Sequence, residues 1–337
     1  MEFLLLEWVG KPIWMWAGFI AIVLGLLAFD LGILNREDRE IGIGHSLVLS
    51  GFYIGFAILY GGGIWWAYEA GHIVTTDGTH AGMAYFTGFF IEKALSIDNV
   101  FVISLIFSYF AIPRKYQYRA LVWGIIAVIV LRGIMIGVGA ALVREYDWIL
   151  YFFGAFLVAT GIKMLMVPES DPDVAKNPLV RFLNRRMRVT QGLHGQKFFV
   201  REMDDKKGRM VLAATPLFVA LIVINIADLI FAVDSVPAIF AITTDTFIVY
   251  TANIMAILGL RALYFALAAM VHRFEYLKYA LAMVLVFIGL KIFWNNLVGK
   301  LDPSISLGVT LALILGGVLF SLWKTRGETR EGKVPVG

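Results

Sequence analysis

The chain contains no cysteine, which excludes disulfides, thiolate metal sites and cysteine nucleophiles of its own. It contains no GxxxxGK[ST] stretch, so no phosphate-cradling loop is available to couple work to nucleotide hydrolysis. No nucleophile–base set stands out, and no enzymatic activity or nucleic-acid partner is expected. Histidine is scarce. His45, His72, His80, His194 and His272 fall at the ends of apolar runs or between them, so imidazole ligands are not expected at mid-membrane. His72, Asp77 and His80 make at most a weak outer metal set, and surface placement is the plainer reading. The N-terminus carries Glu2 and Glu7 where a signal peptide has basic residues, so the first apolar run is read as a retained membrane helix.

What the chain has in excess is apolar length. It runs to 337 residues, 60% of them hydrophobic, with a mean hydropathy of +0.79. Several apolar stretches exceed the roughly 18 residues that mark a spanning candidate. The expected fold class is an all-α, polytopic membrane protein. Nine spans are expected, near 12–34, 46–68, 83–111, 119–143, 147–167, 212–241, 247–270, 277–296 and 304–323. Lysine and arginine set the orientation. Ten of them lie in the loop 168–211. Placing that loop in the cytoplasm puts 21 basic residues inside and three outside, with five inside spans. The N-terminus is then outside and the C-terminus cytoplasmic. Within the loop, the basic stretch from Phe182 to Phe199 either lies on the anionic inner leaflet or is a solvated loop that fixes topology.

Two of the spans carry acids. The run 226–243, IADLIFAVDSVPAIFAIT, holds Asp228 and Asp234; the run 92–106, EKALSIDNVFVISLI, holds Glu92 and Asp98. A carboxylate near the bilayer centre costs at least about 2.5–3.5 kcal/mol, so such residues are functional candidates by default. Each pair is six residues apart. On a straight helix this leaves the side chains roughly 120° apart. Pro237 removes a backbone donor and frees the carbonyl of Val233, so the second segment is expected to be an interrupted helix. Local unwinding in both segments would turn all four acids inward. Asp30, near the cytoplasmic end of the first span, extends this site, serves as an entry residue, or is an interfacial acid that snorkels.

The five bases within spans are Lys93, Arg132, Lys163, Arg261 and Lys291. Buried charges are normally paired, so structural ion pairs are the plain reading for them. Four recur in order. VIVLRGIMI with Arg132 is echoed by AILGLRALYF with Arg261, and FLVATGIKML with Lys163 by VLVFIGLKIF with Lys291. Arginine to lysine is 31 residues in the first copy and 30 in the second. Chance matching of apolar runs does not readily give ordered charges. Each copy has three spans, so the second enters the membrane upside down. Inverted repeats with a midplane site at their junction describe many secondary transporters. The expected organisation is 1–82 for two N-terminal helices, 83–167 for the first repeat, 168–211 for the basic loop, 212–296 for the second repeat and 297–337 for the last helix and tail.

The candidate site offers oxygen ligands: four carboxylates, the side chains of Asn99 and Ser235, and freed carbonyls. Such hard ligands suit Mg²⁺, Ca²⁺ or Mn²⁺. Exporting a divalent cation against an inside-negative potential costs about 4.6 kcal/mol per 100 mV, twice the single-charge figure. Exchange for protons would offset it, the carboxylates binding metal when ionised and releasing it when protonated.

At these segments the chain resembles the TerC family, close to its Alx-type branch. EKALSIDNVFV, ATPLFVAL, DLIFAVDSVPAIFAITTD and NIMAILGLRALYF all look like that family's motifs, and the likeness runs from about residue 80 to 295. The resemblance implies an integral protein of the bacterial inner membrane linked to manganese efflux, with tellurite resistance behind the family name. Carried over, it supports Glu92, Asp98, Asn99, Asp228, Asp234 and Asp30 as intramembrane functional residues. The family pattern has a Glu where this chain has Asn225, and a hydroxyl where it has Ala227, which leaves the site one carboxylate short. The competing reading is a non-transporting membrane scaffold in metal homeostasis. Direct handling of tellurite oxyanions ranks last, because an acid-lined cavity repels them.

Overall fold

The computed structural model describes residues 7–8, 10–32, 43–71, 80–146, 148–166, 178–204, 209–268, 274, 276–299 and 301–328. In lipid a backbone must satisfy its own hydrogen bonds, which restricts long apolar runs to helix or closed barrel. This chain uses helix throughout: α1 (Ile13–Gly32), α2 (Ile43–Glu69), α3 (Ala81–Tyr109), α4 (Arg114–Glu145), α5 (Trp148–Met166), α6 (Pro178–Arg186), α7 (Pro216–Phe240), α8 (Thr246–Leu258), α9 (Leu260–Leu267), α10 (Leu277–Leu297) and α11 (Pro303–Glu328). Two antiparallel hairpins complete the described elements, β1 (Glu7–Trp8) with β2 (Lys11–Pro12), and β3 (Phe199–Asp204) with β4 (Arg209–Ala214).

Among the described residues seven helices, α1, α2, α4, α5, α7, α10 and α11, are long and apolar enough to cross a membrane, or up to eight spans if α8 and α9, bent by 41°, count as one. Of the nine expected stretches, seven coincide with these helices and one with the bent pair. The ninth coincides with α3, whose 29 residues carry Glu92, Lys93 and Asp98 near the middle, more charge than an ordinary span tolerates. The polytopic, all-helical class expected from hydropathy is the one observed. The exterior agrees: Leu59 is 76% exposed and Val48 75%, a surface that water would not support and lipid does.

The helix pairs that pack most extensively are α5 with α10, α4 with α7, and α3 with α8. The first is a crossing of small residues. A Cβ on Gly289 would stand 2.7 Å from the carbonyl oxygen of Gly154, and a Cβ on Gly161 would stand 2.7 Å from that of Ala282. Lipid chains are as apolar as leucine, so close van der Waals approach of this kind is what holds helices together in a bilayer. Gly289→Leu is expected to destabilise the protein by at least about 1–3 kcal/mol, because backbone rather than a movable side chain blocks the new atoms. A thermal midpoint in detergent measures this. An unchanged midpoint would mean that the two helices do not approach so closely. Gly61 is similarly tight against Tyr85, where a Cβ would stand 2.4 Å from the ring, while Gly62 and Gly63 face open space.

The expected interruption at 226–243 is not observed. α7 runs unbroken through Asp228 and Asp234, with Pro237 inside its last turn. There the missing donor costs one terminal hydrogen bond, and the helix ends three residues later. α3 is also unbroken between Glu92 and Asp98. The break falls instead at Gly259, between α8 and α9. Lys93 of α3 fills that break: its Nζ donates to the carbonyl of Ala256 at 3.0 Å and would stand 3.1 Å from a Cβ on Gly259. Thus Lys93, expected in an ion pair, acts partly as a cap on α8.

Candidate functional site

Five side chains from three helices gather round the guanidinium of a fourth. Residues seven apart on a helix return to nearly the same face, and two such pairs are used. Glu92 and Asn99 project from α3, Asp228 and Ser235 from α7; Arg132 comes from α4 and Asn253 from α8. All six are buried. Arg132 Nη1 pairs with Glu92 Oε1, and also donates to Ser235 Oγ at 3.3 Å and to Asn253 Oδ1 at 3.1 Å. Its Nε and Nη2 form a fork on Asp228, at 3.1 Å to Oδ2 and 3.0 Å to Oδ1. Two-pronged contact of this sort is the strongest geometry for an arginine and a carboxylate. Asn253 Nδ2 donates to the other Glu92 oxygen at 3.0 Å, and Asn99 Nδ2 to Asp228 Oδ1 at 3.2 Å.

The cluster pairs two carboxylates with one guanidinium, a formal charge of 2(−1) + 1 = −1 when both acids are ionised. Its donors are well placed, but two buried acceptors near it are not used. Among the described residues Asn99 Oδ1 and Asn225 Oδ1 meet no hydrogen-bond partner, while Asn225 Nδ2 donates to the carbonyl of Leu221 at 2.7 Å. The site therefore has spare oxygen capacity beside the acids.

The other expected site residues lie elsewhere. Asp234 stands on a different face of α7 from Asp228, as six residues of straight helix require. It accepts a long hydrogen bond, 3.4 Å, from Thr160 of α5, and Lys163, one turn further along that helix, acts on it electrostatically. Lys163 itself is exposed. Asp30 pairs with Arg261, whose guanidinium also lies 4.5 Å over the ring of Tyr118. Lys291 donates to Ser306 Oγ at 3.0 Å, and among the described residues no acid pairs with it. The backbone of Asp98 is helical, but its side chain lies outside the described residues. Among the described residues no group of three or more His, Cys, Asp or Glu could together hold a metal ion. His72, Asp77 and His272 lie outside the described residues, and His194 stands 3.6 Å from Glu202.

Two members of the constellation were not singled out from the sequence. Asn253 bridges Arg132 and Glu92, and the signal was available: it is the amide in an otherwise apolar run, NIMAILGL. Thr160 touches Asp234, and only its place three residues before Lys163 hinted at a shared face.

A family model described as "Integral membrane protein TerC family" matches residues 77–329. Among similar curated proteins, a "Putative membrane-bound redox modulator Alx" of Photorhabdus laumondii is 41% identical over 96% of this chain and 99% of its own. A protein of the same printed name in Escherichia coli K12 is 42% identical over 94% of this chain and 96% of its own. An "Uncharacterized membrane protein" of Rickettsia bellii is 45% identical over 91% of this chain and 96% of its own. No solved structure matches the chain.

Proposed function

We propose, from the premise that this chain belongs to the TerC family of integral membrane proteins, that it is a secondary transporter exporting a divalent metal cation, Mn²⁺ first among them, in exchange for protons. The membrane is the bacterial inner membrane, with the N-terminus outside and the C-terminus cytoplasmic, as the basic-residue count assigns. The observation that carries the reading is the meeting of Glu92 and Asp228, from the two matched segments, on one buried guanidinium. Ionisable groups buried at membrane depth are costly and mark functional sites.

In the described arrangement Arg132 stands between the acids where a cation would stand. Metal entry displaces the guanidinium from the carboxylates. Ser235 Oγ and Asn253 Oδ1, already within its reach, are the oxygens it retains. The vacated carboxylates, with the unused Asn99 Oδ1, form an oxygen set suited to a hard divalent ion. Asp98 and Asp234, kept from the sequence reading, serve as further steps for the ion, Asp234 from another face of α7 beside Thr160. The Asp30–Arg261 pair gates its cytoplasmic side, and Lys163 and Lys291 balance charge along α5 and α10. Protonation of the acids drives the metal off, and two protons per metal make the cycle electroneutral. The inverted repeat is consistent with reciprocal packing, α4 on α7 and α8 on α3.

The test is transport by the purified protein in proteoliposomes under an imposed pH gradient, comparing Mn²⁺ with Ca²⁺ and Mg²⁺. Glu92→Gln, Asp228→Asn and Asp234→Asn are each expected to abolish metal-stimulated flux. Flux that survives all three would rule the reading out.

A second reading, a non-transporting membrane platform in metal homeostasis, has its own support: Glu92 and Asp228 are already clamped by Arg132. It expects Asp234→Asn, outside that clamp, to behave as wild type in cells. A redox role, which the printed names of two relatives suggest, would have to run without thiols of this chain, since it has none.

A further inference from the structure

We infer that the groove between α10 and α11 is a site for an anionic phospholipid, independent of what the protein transports. The groove has a volume of about 460 Å³ and is lined by Tyr276, Tyr279, Met283, Gly316, Phe320 and Lys324, with Ala280 and Gly317 at its floor. That is the size range of small-molecule sites. Its shape follows from the sequence. Gly317 lets α11 ride directly on Ala280, where a Cβ would meet the Ala280 Cβ at 2.3 Å, while Gly316 faces open space. Two adjacent glycines thus bring the helices together and leave a trough beside the contact. From Tyr276 to Met283 the trough covers about two helical turns, roughly 10 Å. Its walls are apolar and aromatic, with Tyr276 edge-on to Phe320 at 5.7 Å. An aliphatic chain fits that lining.

The mouth is different. Lys324 holds its ammonium 4.6 Å over the ring of Tyr276, and Lys278 holds its own 5.5 Å over Tyr279. Lys324 lines the trough near the end of α11, while Lys278 stands in the first turn of α10, off the face that lines it. This is the end that the lysine and arginine count assigns to the cytoplasm, and it faces the anionic leaflet. Basic pockets between helices at that level take acidic headgroups. Trp323, 71% exposed beside the mouth, marks the same interface as an anchor. One lipid satisfies both halves, its phosphate at Lys324 and one chain along Gly316 and Met283.

The experiment is native mass spectrometry of the full chain re-lipidated with equimolar phosphatidylglycerol and phosphatidylcholine. Wild type is expected to retain phosphatidylglycerol selectively. Lys324→Gln is expected to lose roughly fivefold of that preference. Gly316→Phe, which fills the trough, is expected to lose retention of both lipids with an unchanged thermal midpoint. The Lys324→Gln variant decides the matter alone if the phenylalanine variant does not fold. Retention unaltered by the lysine variant would overturn the proposal, as would displacement of the lipid by glycerol phosphate alone, or a dimer that carries no lipid.

Discussion

Arg132→Met is expected to destabilise the protein by about 3–5 kcal/mol, the usual consequence of removing one partner from a buried charge cluster. The guanidinium makes contacts to Glu92, Asp228, Ser235 and Asn253. Its loss raises the formal charge of the buried cluster from −1 to −2 and leaves both acids without their principal donor. Neutralising those acids at the same time removes the problem. Arg132→Met/Glu92→Gln/Asp228→Asn is therefore expected to recover most of the lost stability, since replacing a whole buried ion cluster by neutral groups is often nearly neutral. Transport, however, stays lost, because the carboxylates are gone. Thermal midpoints and proteoliposome flux on the same preparations separate the two effects. Wild-type stability in Arg132→Met alone would show that the acids are neutral or solvated, and the charge argument would fall.

A comparable loss, about 3–5 kcal/mol, is expected for Lys11→Met. Lys11 and Asp245 form an ion pair of 2.8 Å in which the two side chains are 2% and 1% exposed. Lys11 leaves the β1–β2 hairpin, whose turn uses Gly10 at φ +76°, and ties it to the start of α8. Asp245 has a second task. Its Oδ1 accepts from the backbone N–H groups of Phe247 and Ile248 at 3.1 and 3.4 Å, which caps α8. Asparagine caps nearly as well as aspartate, so Lys11→Met/Asp245→Asn removes both charges and keeps the cap. The double variant is expected to lie within about 1 kcal/mol of wild type, far from either single change. Four thermal midpoints close the cycle. Additive losses would mean that the two side chains act separately.

Apolar length made the helices readable from the sequence, because lipid leaves a long apolar chain few alternatives. The acids and their matched arginines were readable too, since each is a costly exception in its surroundings. Partnership was not. Asp30 meets Arg261 across more than two hundred residues, and nothing local announces it. Nor does anything local say that one guanidinium holds both Glu92 and Asp228 while Asp234 turns to Thr160. The helical arithmetic had in fact separated Asp228 from Asp234 by roughly 120°, and the unbroken α7 keeps that separation. Unwinding was invoked to overcome an angle that the fold retains. Pro237 attracted the break because proline is the visible helix breaker. The bend came instead at Gly259, where a small residue admits the Lys93 ammonium, and that depends on a helix 163 residues away.

Glu92 and Lys93 are neighbours in the chain, about 100° apart around α3. One grips Arg132 of α4 and Asn253 of α8; the other plugs the bend that follows α8. α3 is thereby keyed like an axle to parts on two sides. It cannot turn to free the acid without also withdrawing the plug, so release of the buried carboxylate and straightening of the bent pair are one mechanical event.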